Sequence, residues 1–127
     1  MSDLSNSLIT ISFDLKKYRI RIYKSLLHKL GDPKYIQLLV NPEDMAVAVI
    51  SVEKESSGDQ THKVSQRRMA SDNSVEIYSR PFIDKLCAVV GGLEAGRSYR
   101  LSGALVPNEK AAVFSLKTIK PIVKQEI

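Results

Sequence analysis

At 127 residues, with 43% hydrophobic and 26% charged content, the chain is sized for one globular domain or for two small halves sharing a core. The single cysteine, Cys87, excludes an internal disulfide and a multi-cysteine zinc site, and no apolar run approaches the roughly 18–20 residues of a membrane helix. The net charge of +5 is local: Leu15 to Gly31 holds six basic residues and no acid, while the rest of the chain has 13 basic and 14 acidic residues. A local basic patch points to a polyanionic partner.

The N-terminal M-S-D-L-S-N-S lacks the positive flank and apolar core of a signal peptide, so a cytoplasmic protein with no membrane partner is expected. Leu8 to Phe13 is rich in β-formers and reads as a first strand or arm. After a polar break at Asp14 to Lys17, Tyr18, Ile20 and Ile22 point one way and Arg19, Arg21 and Tyr23 the other. Two residues along a strand span about 6.6 Å, which makes Arg19 and Arg21 neighbours on one exposed face, suited to successive phosphates. A short helix follows, with Ser25 as its N-cap, Leu26, Leu27 and Leu30 on its apolar face, and Gly31 as its stop. Lys24 and His28 share one side of it, as do Ser25 and Lys29.

Tyr35 to Val40 and Met45 to Val52 form a hairpin across Asn41-Pro42-Glu43-Asp44. Both strands are apolar at nearly every position, which predicts burial on both faces. Residues 53–74 change character, with Val64, Met69 and Ala70 the only apolar side chains, and read as a polar linker or functional loop. This segment carries a second basic cluster, His62, Lys63, Arg67 and Arg68. Val75 to Tyr78 is a strand, and Arg80-Pro81 opens a helix with Phe82, Ile83, Leu86, Cys87 and Val90 on its apolar face, ending at Gly91-Gly92. Ser98 to Leu105 and Lys110 to Leu116 form a second hairpin, and Lys117 to Ile127 is a basic-apolar tail.

The order strand, helix, hairpin therefore occurs twice. Ile22-Tyr23 is echoed by Ile77-Tyr78, Lys29-Leu30 by Lys85-Leu86, and Asn41-Pro42-Glu43 by Pro107-Asn108-Glu109. A β-α-β-β half cannot bury its faces alone, so the expectation is a mainly β, α+β fold. Halves 1–52 and 75–127 then pair in one globular domain, with 53–74 between them.

The run from Arg19 to Val49 resembles the AbrB/SpoVT-type swapped-hairpin family, with Arg19, Ile20, Ile22, Leu26, Leu30 and Gly31 on matching positions. Val75 to Leu116 resembles it more loosely, as in the tandem, MraZ-like members. The resemblance implies two β-α-β-β units interlocking their hairpins into a barrel, and DNA-binding transcription regulators or antitoxins as functions. The second unit departs in charge: Glu76 stands where Arg21 would be, Ser79 for Lys24 and Asp84 for His28.

Catalytic and metal motifs do not emerge. His28 and His62 have no ligand partners at metal spacing, and there is no G-x-S-x-G, P-loop or H-E-x-x-H. No enzyme activity, metal or cofactor is expected, and Cys87 reads as a packed thiol. The expected function is a regulator binding double-stranded DNA through Lys16, Lys17, Arg19, Arg21, Lys24, His28 and Lys29. The alternative is an antitoxin-like or assembly module docking an acidic protein on the same face. A homo-oligomer is expected in either case.

Overall fold

Most strands of this protein alternate apolar inward and polar outward, and they build one sheet around one core. The computed structural model describes residues 9–53, 61–64 and 73–123. In chain order the elements are β1 (Ile9–Asp14), β2 (Arg19–Tyr23), α1 (Lys24–Lys29), β3 (Tyr35–Asn41), β4 (Ala46–Val52) and β5 (Thr61–Lys63). They continue with β6 (Ser74–Tyr78), α2 (Arg80–Val90), β7 (Ser98–Val106), a single 3-10 turn at Pro107–Glu109, and β8 (Ala111–Pro121). The strands form one antiparallel, nearly closed barrel-shaped sheet in the order β5-β3-β4-β8-β7-β1-β2-β6. The mainly β architecture with two short helices is the one expected.

The side chains pointing inward are the apolar alternates: Ile11 and Phe13, Ile20 and Ile22, Ile36 and Leu38, Val47 and Val49, Val75 and Ile77, Tyr99 and Leu101, Ala112 and Phe114. Burying each large aliphatic or aromatic one contributes about 1.5–3 kcal/mol, and this period-2 pattern sets the register, because a one-residue slip would turn the whole set outward. Leu26, Leu27 and Leu30 from α1 and Phe82, Ile83 and Leu86 from α2 join the same core.

The outward positions of β4 correct one expectation. Burial on both faces was expected of β3 and β4, yet Ala46, Ala48 and Ile50 are only half-buried. The sheet has a single packed interior, and these residues face outward on β4 beside Ser115, Val113 and Ala111 of β8. Ala46 and Ala48 stand there because they are small, and Ile50 is covered in part by its β-sheet neighbours Gln37 and Ala111.

Local chemistry explains the connections. Asn41 Oδ1 accepts the N–H of Glu43 at 3.0 Å and of Asp44 at 3.2 Å, the side-chain turn that joins β3 to β4. The N-cap of α2 is Ser79, whose Oγ accepts from Phe82 N at 3.3 Å. Ser25 is not the cap of α1. That helix starts two residues earlier, with Tyr23 as N-cap and no side-chain bond, and Lys24 N donates to Asn73 O at 2.8 Å. Its expected stop is in place, with Gly31 at φ +89.

Within the 53–74 segment, Thr61–Lys63 is a strand paired to Tyr35–Gln37 of β3. Leu8, Arg67, Arg68 and the last four residues of the tail lie outside the described residues. The tail's first part lengthens β8 to Pro121. Among the described residues no helix is long and apolar enough to cross a membrane.

Candidate nucleic-acid interface

The outer face of β1 and β2 follows from the same alternation that fills the core. With Ile20 and Ile22 inside, Arg19 and Arg21 point out. Register then decides what they meet: Arg19 lies opposite Asp14 of β1 and Tyr78 of β6, and Arg21 opposite Ser12 and Glu76.

Both arginines are engaged. Arg21 Nη2 donates to Glu76 Oε2 at 2.8 Å. Arg19 Nη2 donates to Asp14 Oδ2 at 3.2 Å, and its Nη1 lies 3.6 Å from Glu76 Oε2. The Arg21 hydrogen bond, aided by Arg19 and Tyr78, holds the Glu76 carboxyl below its ordinary value, against burial that pushes the other way. The side chains of Arg19 and Glu76 are each 22% exposed, so the cluster is half-dry, and removing one partner costs about 1–2 kcal/mol, between the exposed and buried cases.

The turn between β1 and β2 is shaped by the same Asp14. Its Oδ1 accepts the backbone N–H of Lys16 at 2.8 Å and of Lys17 at 3.3 Å. That turn holds both lysines outward, where they are exposed and make no ion pair among the described residues. Tyr18 takes the left-handed conformation, φ 53, and Arg80 lies 4.9 Å over its ring.

A cleft of about 590 Å³ opens here, lined by the strand ends Ser12 to Asp14 and by Lys16, Lys17, Arg19 and Arg21 from the first half, and by Gly96, Arg97, Ser98 and Ile122 from the second, with four lysines and arginines of the first half against the one acid Asp14. Arg97 is tied to Glu94 at 2.6 Å. Beside the cleft, Arg100 lies opposite Ser12 on one side and Lys120 on the other. Arg100 and Lys120 are exposed and also lack an ion pair among the described residues. One transverse row of the outer face thus reads Lys120, Arg100, Ser12, Arg21, Glu76.

The seven expected residues fall in two places. Lys16, Lys17, Arg19 and Arg21 meet in the cleft. Lys24, His28 and Lys29 sit on α1, beyond the far end of β2, about 13 Å of strand away. His28 Nδ1 contacts Asp32 Oδ1 at 2.5 Å on the surface. Arg97 and Arg100 are single cations in mixed surroundings in the sequence, and Lys120 belongs to the basic-apolar tail, with nothing local to join the three. Only strand pairing gathers them.

Of the second basic cluster, His62 and Lys63 are described. His62 is half-buried, its Nε2 has no partner among the described residues, and burial pushes its pKa below 6.5. The folded state therefore favours the neutral ring. The contribution of His62 to stability is complete above pH 6.5 and is lost as the pH falls below it toward the lowered folded value. Urea midpoints at pH 7.5 and 5.5 are expected to drop further in the wild type than in His62→Gln. Equal drops would rule out this histidine as the source. Cys87 is half-buried, its thiol pushed up by burial and by the Asp84 charge. Among the described residues no group of three or more His, Cys, Asp or Glu is placed to hold a metal ion.

No protein-family model matches the chain, and neither a curated protein nor a solved structure matches it.

Proposed function

We propose that the protein is a DNA-binding transcription regulator that takes the phosphate backbone of a duplex across the cleft at the β1–β2 turn. The observation carrying this reading is the pair Lys16 and Lys17, exposed and without ion pairs among the described residues, with Arg100 and Lys120 extending positive charge over the same outer face. Arg19 and Arg21 already hold carboxylates, so they serve as positioned donors that a phosphate must win from Asp14 and Glu76. The protein acts by binding, without a catalytic step or cofactor.

The reading includes a duplicated β-α-β-β architecture of the swapped-hairpin type. In support, the β3–β4 and β7–β8 hairpins abut through β4 and β8, and β2 pairs with β6. The echo of Ile22-Tyr23 in Ile77-Tyr78 makes Arg21 and Glu76 equivalent positions, and these are direct partners across β2 and β6. Equivalent residues facing each other is what a two-fold axis through that strand pair requires. Two arginines there would repel, and a duplicated chain is free to place a carboxylate on one side.

Titration of labelled duplex DNA at several salt concentrations tests the function. Lys16→Ala/Lys17→Ala is expected to weaken binding about 10-fold at ~50 mM salt and to flatten the salt slope by roughly 2, the loss of two phosphate contacts. Arg19→Ala/Arg21→Ala is the companion variant. Absence of wild-type binding at ~50 mM salt would overturn the proposal.

A second reading, docking of an acidic protein, is favoured by those same arginine–carboxylate pairs, which a partner's carboxylates would imitate. An acidic peptide that competes with DNA for the cleft identifies it. The uncharged face around Ala48, Ala104 and Val113 suits a homo-oligomer, and solution mass tests that.

A further inference from the structure

Among the described residues Tyr78 is the sole aromatic side chain that is exposed, with 59% of its surface open to solvent. Alternation along β6 explains the direction: Val75 and Ile77 turn into the core, and Ser74, Glu76 and Tyr78 turn out. Single exposed aromatics are ordinary on protein surfaces. This one is distinguished by how it is held and by what surrounds it.

The Tyr78 hydroxyl donates to Glu76 Oε1 at 3.3 Å, and the other oxygen of that carboxylate accepts from Arg21. A bond to the residue two positions back on the same face lays the ring along the strand. Tyr78 is also the direct partner of Arg19, which lines the cleft. Cross-strand partners have Cβ atoms about 4.5–5.5 Å apart. Ser79 N donates to Tyr18 O at 3.0 Å, so the β1–β2 turn that carries Lys17 adjoins the end of β6 just past Tyr78. A solvent-open ring thus borders the cleft, with Arg19 on one side and the Lys17 turn beyond its end.

We propose that Tyr78 is a base-stacking platform, and that the surface takes DNA carrying an unpaired base in preference to unbroken duplex. The proposal rests on the cleft being a DNA site. Stacking on a side chain needs a free base face, and in an intact duplex each base face is covered by its neighbour. An unpaired base laid on Tyr78 leaves its flanking phosphates beside Arg19 and Lys17. The contact is tolerant of sequence, because every base has a π-face.

Fluorescence anisotropy tests this with a labelled duplex and the same duplex carrying a short single-stranded gap. The wild type is expected to bind the gapped DNA about 5- to 100-fold tighter, the range of one stacked base. Tyr78→Ala is expected to lose that preference while keeping its affinity for the intact duplex and its salt slope. Tyr78→Phe, which removes the hydroxyl tether and keeps the ring, retains most of the preference. Equal binding of gapped and intact DNA by the wild type, or a preference that survives Tyr78→Ala, overturns the stacking role and leaves the cleft reading standing. Failure to bind either DNA at ~50 mM salt overturns both.

Discussion

Gly103→Ala is expected to destabilise the protein by about 3 kcal/mol and to lower its melting temperature by roughly 10 °C. Gly103 lies directly opposite Phe114 on β8, just past the register shift between Arg100 and Ser102. A Cβ there would run into Val113 O and would stand 2.7 Å from Phe114 Cα and 2.8 Å from Phe114 Cδ2. Two of those atoms are backbone, so no rotamer change relieves the clash. The strands themselves must separate. They approach this closely because a barrel wall has to coil sharply somewhere, and a glycine beside an irregularity in the ladder is where β7 does so. Phe114 fills the space the missing side chain leaves and is itself fully buried. Ala104→Ser, one residue on and exposed, is the control. A shift below about 2 °C for Gly103→Ala would mean that β7 can move off β8 without loss.

Glu76→Gln is expected to move stability and binding in opposite directions. Losing the charge partner of Arg21 and Arg19 lowers stability by about 1–2 kcal/mol. It also frees the Arg21 guanidinium toward the cleft while Arg19 stays bonded to Asp14, raising affinity for duplex DNA about 10-fold and steepening the salt slope by roughly 1. A variant that loses both stability and affinity would show that Glu76 orients the arginines for the phosphate rather than restraining them. The acid limb of stability gives an independent reading. The folded state holds the Glu76 carboxyl below its ordinary 4.5, so its contribution is complete above that pH and is lost as the pH falls through the lowered value. Urea midpoints measured between pH 6 and pH 3 are expected to fall less in Glu76→Gln than in the wild type.

The elements of the first half were legible because their signals are local. R-I-R-I-Y alternates, L-L-H-K-L-G closes a helical turn on its glycine, and N-P-E-D is a side-chain-stabilised turn. The Lys16–Arg21 portion of the site was legible for the same reason. The rest depends on which distant strands touch. Nothing in the spacing of Arg21 and Glu76 says that they form a pair, because that register is set only when β2 meets β6. Arg100 and Lys120 likewise join the cleft surface only through the β1–β7 and β7–β8 pairings, and Arg97, just before β7, through its carbonyl's bond from Leu15 N. The apolar run of β4 misled, since Ala46 and Ala48 look like core residues by type but are small enough to stand outside. The cap of α1 moves from Ser25 to Tyr23 because the N–H of Lys24 is satisfied by Asn73, near the end of the 53–74 segment.

The place of β1 in the sheet also bears on how fast the protein folds. β1 pairs locally with β2, but its other edge is filled by β7, whose partner residues come 84 to 94 positions later. β4 likewise waits for β8. Most of the loop-closure entropy must therefore be lost before the contacts that compensate for it form, which places folding in the millisecond-to-second range of high-contact-order β proteins. During synthesis the first half emerges with one edge of β1 and one edge of β4 unfilled. Until the C-terminal strands arrive, those edges are open to neighbouring chains, and aggregation at that stage is the hazard this topology carries.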